Sequence, residues 1–322
     1  MICRVLTGPT AGGKTSLSLA LAEKHGWEIA CMDSMQIYRG LDIGTAKPTP
    51  EERSRVPHHL LDVCDPRESF SVTMYRDLAE ALIRRRWAED RKELLFVGGT
   101  GLYLQAMMHP MAMGTVPADE KLREELRALS LTPGGKEKLH RMLRELDPDS
   151  ADRLPPNDVR RVIRAIEVSR ATGIPFSRQP AGEDASPFQW RVAVLDWPRD
   201  LLYDRINRRV RQMMDQGLEE EVRALLESGV PRESQSMQAI GYKEMIRFLD
   251  GACSREETME EIRKATRHYA KRQLTFLRRE PGAVWLDARA ENLQEAAEQV
   301  FCRSESPGPE DPSFSRADQN AT

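Results

Sequence analysis

The chain has 322 residues, 40% of them hydrophobic and 31% charged, with a formal net charge of -3. That length supports one large or two modest domains with a substantial core, and no apolar run approaches the roughly 20 residues of a membrane span. The five cysteines, Cys3, Cys31, Cys64, Cys253 and Cys302, lie far apart and form no C-x-x-C pair, so neither a zinc site nor a disulfide framework is suggested, and with no leader pattern at "MICRVLTG" a reducing cytoplasm is expected.

In chain order, short apolar runs at "CRVLT", "EIACM", "HLLDV" and "LLFVG" predict strands. Between them a helix is predicted from Lys14, with Leu17, Ala20 and Leu21 on one face, and another across "TMYRDLAEALIRRRWAED". This alternation predicts an α/β fold, a parallel sheet flanked by helices, with its first part over residues 1–115. Residues 116–189 lose the strand pattern and turn to charged helical sequence, an inserted all-helical domain; within it Asn157 is placed to cap a helix that Gly173 ends and Pro175 stops. Residues 190–302 complete the core with a strand at "WRVAVLDW", helices over "LLYDRINRRVRQMMDQ" and "LEEEVRALLESG", a long helix from a Ser254/Glu257 capping box to about Arg279, a strand in "AVWLDA" and a last helix. Residues 303–322 lack the apolar content to fold and are expected to be a disordered tail.

The first motif with chemistry in it is "GPTAGGKT", residues 8–15, lying between a strand and a helix as a phosphate-binding loop does. Gly8, Pro9, Thr10, Ala11, Gly12, Gly13, Lys14, Thr15 and Ser16 would cradle phosphate with backbone N–H groups, Lys14 adding charge and Thr15 a hydroxyl for Mg2+. A nucleotide is the default ligand of such a loop. Against it, the strand that should end in a magnesium-binding Asp instead runs "LLFVGGTGLYLQ", and no guanine-reading N-K-x-D is present. Asp33, in "CMD", closes the second strand at the sheet edge where ligands bind in open α/β folds, although a turn-forming role accounts for its position as well. Gln36, Tyr38, Arg39 and Lys47 follow, side chains suited to a polar ligand. The Gly98–Gly101 loop offers further N–H donors and the Thr100 hydroxyl, or else is a plain tight turn.

Basic residues recur at helical spacing. Arg160 and Arg164 share one face, opposite Val159, Ile163 and Ile166, and Lys264, Arg267, Lys271 and Arg278 line another helix. Two such clusters point to RNA; each basic residue by itself also fits a solvated helix face.

Together "GPTAGGKT", "DSMQIYRGLDIGTAKPT", "FVGGTGLYLQA", "NDVRRVIRAIEV", "RINRRVRQMM", "QAIGYKE" and "KRQLTFLRR" resemble the bacterial tRNA dimethylallyltransferases, in the family's order and over about residues 3–280. The departures are the Met-rich "QAMMHPMAMG" and the polar tail. The resemblance implies that the loop holds the diphosphate of dimethylallyl diphosphate, and that the group goes to N6 of the adenosine conventionally numbered 37 in the tRNA anticodon loop. It implies Asp33 as general base, Thr100 in the reaction channel, and Arg209 on the diphosphate. Contacts to tRNA are implied for Asp33, Ser34, Met35, Gln36, Lys47, Thr100, Arg123, Arg160, Arg161, Val162, Ile163, Arg164, Gln238, Gly241, Tyr242, Lys243, Lys271, Arg272, Gln273 and Arg278, with Gln36 on the extruded adenine. A monomer with Mg2+ as its cofactor is expected. ATP remains open as a competitor for the loop, and the competing functions are a small-molecule kinase and a nucleotide-switched RNA-binding protein.

Overall fold

The computed structural model describes residues 1–109, 116–179 and 186–302. The chain divides into two compact units, one formed by Met1–Leu104 with Phe188 onward and one by Gln105–Pro187. The composition shift at Val116 thus falls inside the second unit, whereas the expected tail at 303–322 lies outside the described residues.

In chain order the elements begin with β1 (Ile2–Thr7), α1 (Lys14–His25), β2 (Glu28–Cys31), α2 (Pro50–Arg55), β3 (His58–His59), α3 (Val72–Asp90), β4 (Leu94–Val97) and α4 (Gly101–Met108). The helical unit supplies α5 (Glu120–Ser130), α6 (Gly135–Leu146), α7 (Pro148–Arg153) and α8 (Val159–Thr172). The chain then returns with β5 (Gln189–Asp196), α9 (Arg199–Asp215), α10 (Leu218–Glu227), α11 (Tyr242–Leu249), α12 (Arg255–Leu277), β6 (Val284–Asp287) and α13 (Leu293–Phe301).

The six strands form one sheet in the order β3-β2-β4-β1-β5-β6. Every pairing is parallel. Most of β1 and the middle of β5 are buried, as strands covered on both faces must be, which is why they read as mostly apolar runs; the buried exceptions Arg4 and Arg191 both donate to the Phe301 carbonyl. Leu6, Leu95, Ala193 and Leu195 pack with Leu17 and Leu21 of α1 and Phe301 of α13 in one apolar cluster. The helical unit has its own core, built from Leu126, Leu139, Leu143, Val162, Ile163 and Ile166.

Two expectations are corrected. The third strand covers only His58–His59, because Leu60 and Asp62 take left-handed φ of 60° and 57° and turn the chain out of the sheet. Asp62 is held in that turn by Lys47, 2.6 Å from its Oδ1, and Arg53, 2.9 Å from its Oδ2. In α8 the cap is Asp158, whose side chain accepts from the Arg161 N–H, rather than Asn157; the C-terminal Gly173 has φ 71°, the left-handed cap expected of it. The Ser254/Glu257 capping box forms, and α12 ends at Leu277 with Arg278 as its cap.

Candidate active site

The loop between β1 and α1 starts at Gly8, whose φ of 138° and close approach to β5 admit no side chain: a Cβ there would lie 2.8 Å from the Leu195 carbonyl oxygen. Three side chains from later in the chain hold the loop by its backbone. The Trp197 indole N–H donates to the Gly12 carbonyl at 2.9 Å, Arg205 Nε donates to the Ala11 carbonyl at 2.7 Å, and Gln273 Oε1 accepts from the Thr10 N–H at 2.9 Å. Arg205 also stacks on Trp197, its guanidinium 4.4 Å from the ring centre. With two carbonyls and one N–H held in this way, the loop presents the amino end of α1 to a cleft of about 480 Å³ that Arg205 and Gln273 also line.

Lys14, Arg205, Arg208 and Arg209 line this cleft against the carboxylates of Asp33 and Glu52, an excess of positive charge suited to an anion with more than one negative charge. Lys14 Nζ donates to the carbonyls of Gly8 and Pro9 at 3.0 and 2.8 Å. Burial, reinforced by the Arg209 guanidinium, pushes its pKa down to about 8, while the Asp33 carboxylate pulls the other way. Burial also lowers the Arg209 pKa against the same pull from Asp33, and its Nε has no hydrogen-bond partner among the described residues. These shifts have a sign that can be tested. Lys14 is charged below about pH 8 and loses its proton above it, so affinity for inorganic diphosphate should be full near neutrality and fall as pH rises through about 8. Titration calorimetry on either side of that value reads the fall, and an Asp33→Asn variant should move it to lower pH; a flat profile would leave the arginines as the sole anion ligands.

Asp33 lies two residues past the end of β2. Its Oδ1 accepts from the Met35 N–H at 2.9 Å, a local turn that fixes the carboxylate, and the buried Tyr75 hydroxyl holds the Cys31 carbonyl at 2.8 Å two residues earlier. Asp33, Arg209, Thr10, Thr45 and Tyr269 line both the anion cleft and a second recess of about 300 Å³. That recess adds Ser34, Met35, Ile206, Val210, Met213, Ile240 and Ile262, with Gln238, Lys243 and Arg272 also on its wall. A carboxylate and a guanidinium therefore stand where a cationic compartment meets a largely apolar one.

Residues 36–280 match the family described as IPP transferase. The chain is 46% identical over 299 residues to the tRNA dimethylallyltransferase of Geobacillus thermodenitrificans strain NG80-2, covering 92% of this chain and 94% of that protein. It is 46% identical over 288 residues to the tRNA dimethylallyltransferase of Myxococcus xanthus strain DK1622, covering 88% and 91%. The fold matches the solved tRNA isopentenylpyrophosphate transferase of Bacillus halodurans with a TM-score of 0.68 at 42% identity, covering 94% of each chain. A eukaryotic dimethylallyltransferase solved acting on tRNA matches with a TM-score of 0.74 at 27% identity, over 93% of this chain and 76% of that one. The chain belongs to the IPP transferase family.

Several residues named from the sequence have structural work in this IPP transferase. Gly8 and Pro9 supply carbonyls to Lys14. Thr100 lines neither recess; its hydroxyl accepts from the Ser34 N–H at 3.0 Å. The glycines around Thr100 answer to packing: a Cβ on Gly98 would meet the Met32 carbonyl oxygen at 2.0 Å, and one on Gly99 the Gln273 amide nitrogen at 2.1 Å. Two of the N–H groups expected there for a ligand are taken internally, Gly98 by the Leu6 carbonyl and Thr100 by the Met32 carbonyl. Gln36 lines the anion cleft with its amide committed, Nε2 donating to the Thr45 and Ala46 carbonyls and Oε1 accepting from Cys31 Sγ.

Lys47 is 6% exposed, its Nζ held by Asp42, Asp62 and the Tyr38 carbonyl, and Tyr242 is fully buried with its hydroxyl on Glu221. Both side chains serve the fold of the loops beside the cleft. Gly241, at φ 99°, opens α11 and donates its N–H to Glu244. Lys271 and Arg278 line a separate cleft with Trp197, Tyr203 and Trp285. In the helical unit Val162 and Ile163 are core residues, while Arg123 and Arg164 both pair with the buried Glu167, at 2.8 and 2.5 Å. Arg160 is exposed, and Arg161 pairs with Asp158 at 3.0 Å.

Sequence reading missed Trp197, Arg205, Arg208 and Tyr269. Arg205 and Arg209 are four residues apart and thus share a helix face, a signal legible in "RINRR" once Arg209 is assigned. Nothing near Trp197 in sequence points to Gly12.

Proposed function

We propose that this chain transfers the dimethylallyl group of dimethylallyl diphosphate to N6 of adenosine 37 in the tRNA anticodon loop. Family membership supports prenyl transfer to tRNA over the kinase and switch readings. The observation that carries the finer reading is the place of Asp33 and Arg209 at the junction of the two recesses. A diphosphate in the cationic cleft and an extruded adenine in the other recess would put the allylic carbon beside Asp33.

The adenine amine is a weak nucleophile because its lone pair is delocalised into the ring. In the proposed step the N6–carbon bond forms, the allylic carbon–oxygen bond breaks, the N6 proton goes to the Asp33 carboxylate, and diphosphate departs with the bonding pair. Lys14, Arg209 and the amino end of α1 meet the charge that grows on the leaving group. Extrusion is required because neither the base nor the allylic carbon reaches N6 inside the stacked loop, and Ser34, Met35, Gln238, Lys243 and Arg272 are placed to receive the flipped nucleotide.

No group of three or more His, Cys, Asp or Glu capable of holding a metal occurs among the described residues, so no all-protein magnesium cage is present there. Thr15 lines the cleft, and one hydroxyl fits an ion that keeps its waters and takes its remaining oxygens from substrate phosphate. Bound Mg2+ would supply charge to the leaving diphosphate. Among the described residues no helix is long and apolar enough to cross a membrane, and we take the enzyme to work as a monomer in the cytoplasm.

The test is incubation of the full chain with unmodified tRNA, dimethylallyl diphosphate and magnesium in nucleotide-free buffer, followed by mass analysis of the nucleosides. Dimethylallyl-adenosine is the expected product. Strict dependence on added ATP would restore the kinase or switch readings.

A further inference from the structure

We propose that Glu221 is a positioning residue for the transfer reaction: it fixes the strap of residues 42–45 and, through the Thr45 carbonyl, the Arg209 guanidinium at the junction of the two recesses. The inference rests on the function proposed above and assigns a role to a carboxylate outside the cleft.

The strap runs past both recesses, Gly44 and Thr45 lining one and Thr45 the other. Three successive backbone N–H groups, those of Asp42, Ile43 and Gly44, point at the Glu221 carboxylate at 3.0, 2.7 and 3.1 Å. Such a concave run of donors usually receives an anion from outside the protein; here it is filled by a side chain of α10. The Tyr242 hydroxyl donates to the same carboxylate at 2.5 Å, and its ring lies against Gly44 so closely that a Cβ there would sit 2.4 Å from a ring carbon. Four donors thus converge on one carboxylate.

What they hold in place is the Thr45 carbonyl. It accepts from Gln36 Nε2 at 3.0 Å and from Arg209 Nη2 at 3.4 Å. Arg209 makes no other hydrogen bond among the described residues, and its buried Nε is unpartnered. The position of the guanidinium, and with it the site's response to the leaving diphosphate, therefore depends on where the strap puts one oxygen. Glu221→Gln keeps the size of the side chain but turns one acceptor into a donor facing N–H or O–H groups, so part of the cluster must separate.

In single-turnover assays on the full chain, Glu221→Gln should slow transfer by about ten- to a hundredfold, the scale expected when a charged group is misplaced by an ångström or less, while KM for dimethylallyl diphosphate moves by less than about threefold. Transfer within about twofold of wild type overturns the inference, and so does a raised KM with the rate held, which would make Glu221 an aid to ground-state binding. If Glu221→Gln does not fold, Tyr242→Phe is judged by the same split, since it keeps the ring against Gly44 and removes one hydrogen bond. A wild-type chain that transfers nothing to tRNA sinks the function reading and this inference with it, an outcome distinct from an active wild type with an equally active variant.

Discussion

Asp33→Asn is expected to lower single-turnover prenyl transfer by about a hundred- to ten-thousandfold, the range that a positioned general base contributes. Asn is the informative replacement because its amide oxygen can still accept from the Met35 N–H, as Asp33 Oδ1 does at 2.9 Å, so the turn after β2 is kept while the proton acceptor is lost. Lys14 and Arg209 both feel the Asp33 charge, which raises the pKa of each. Below the lowered pH at which Lys14 then loses its proton, removing the Asp33 charge leaves the cleft more positive, and affinity for the allylic diphosphate should therefore hold or rise. Binding of tRNA should also hold. Rates near wild type would end the assignment of Asp33 as base, and a rate restored by saturating tRNA would make it a recognition residue.

Lys14→Ala should raise KM for dimethylallyl diphosphate and slow transfer, the two together lowering kcat/KM by about ten- to a hundredfold, because a hydrogen bond to a charged group contributes about 1.5–3 kcal/mol and 1.36 kcal/mol is tenfold. The helix end behind it, at about 0.3–1 kcal/mol, is too weak to compensate. The rate falls as well as the affinity because the ammonium faces charge that is larger in the transition state than in the bound substrate. Folding should tolerate the change. Burial depresses the Lys14 pKa, so the native state binds that proton less tightly than the unfolded chain does, and deleting the group removes this cost below about pH 8. A thermal midpoint that holds or rises while activity falls is the expected pair of results. An unchanged KM would move the diphosphate off the glycine-rich loop.

Much of this was legible in the chain because it depends on local pattern. Parallel strands covered on both faces are mostly apolar, so "CRVLT", "LLFVG" and "WRVAVLDW" showed themselves as β1, β4 and β5. The turn into α1 has to contain Gly8 and Gly13, both at positive φ, and its lysine and threonine have to follow at once. Where sequence reading slipped, ion pairs outside the run itself, or the cap geometry, decided the outcome. "HLLDV" is apolar enough for a strand, yet Lys47 and Arg53 draw Asp62 into a turn. Asn157 is as good a cap as Asp158 by composition, and geometry chose the latter.

Side-chain roles divide along the same line. The sequence alone determined that a strand, a phosphate loop and a helix follow one another, that Asp33 follows the next strand, and that the motifs resemble one enzyme family, because residue type and spacing carry that information. Which charged groups face a ligand was decided only by the tertiary structure. Lys47 and Tyr242 look like ligand contacts in sequence but are buried on Asp42, Asp62 and Glu221, since an ionised or polar group taken out of water must find a partner inside the protein. Trp197 and Arg205 look unremarkable in sequence and reach the loop at Gly12 and Ala11 from 185 and 194 residues away, and Gln273, implied there as a tRNA contact, reaches Thr10 from 263. Separations of that size leave no local pattern to read, because the contact exists only after the sheet has brought the carboxyl ends of β1 and β5 side by side.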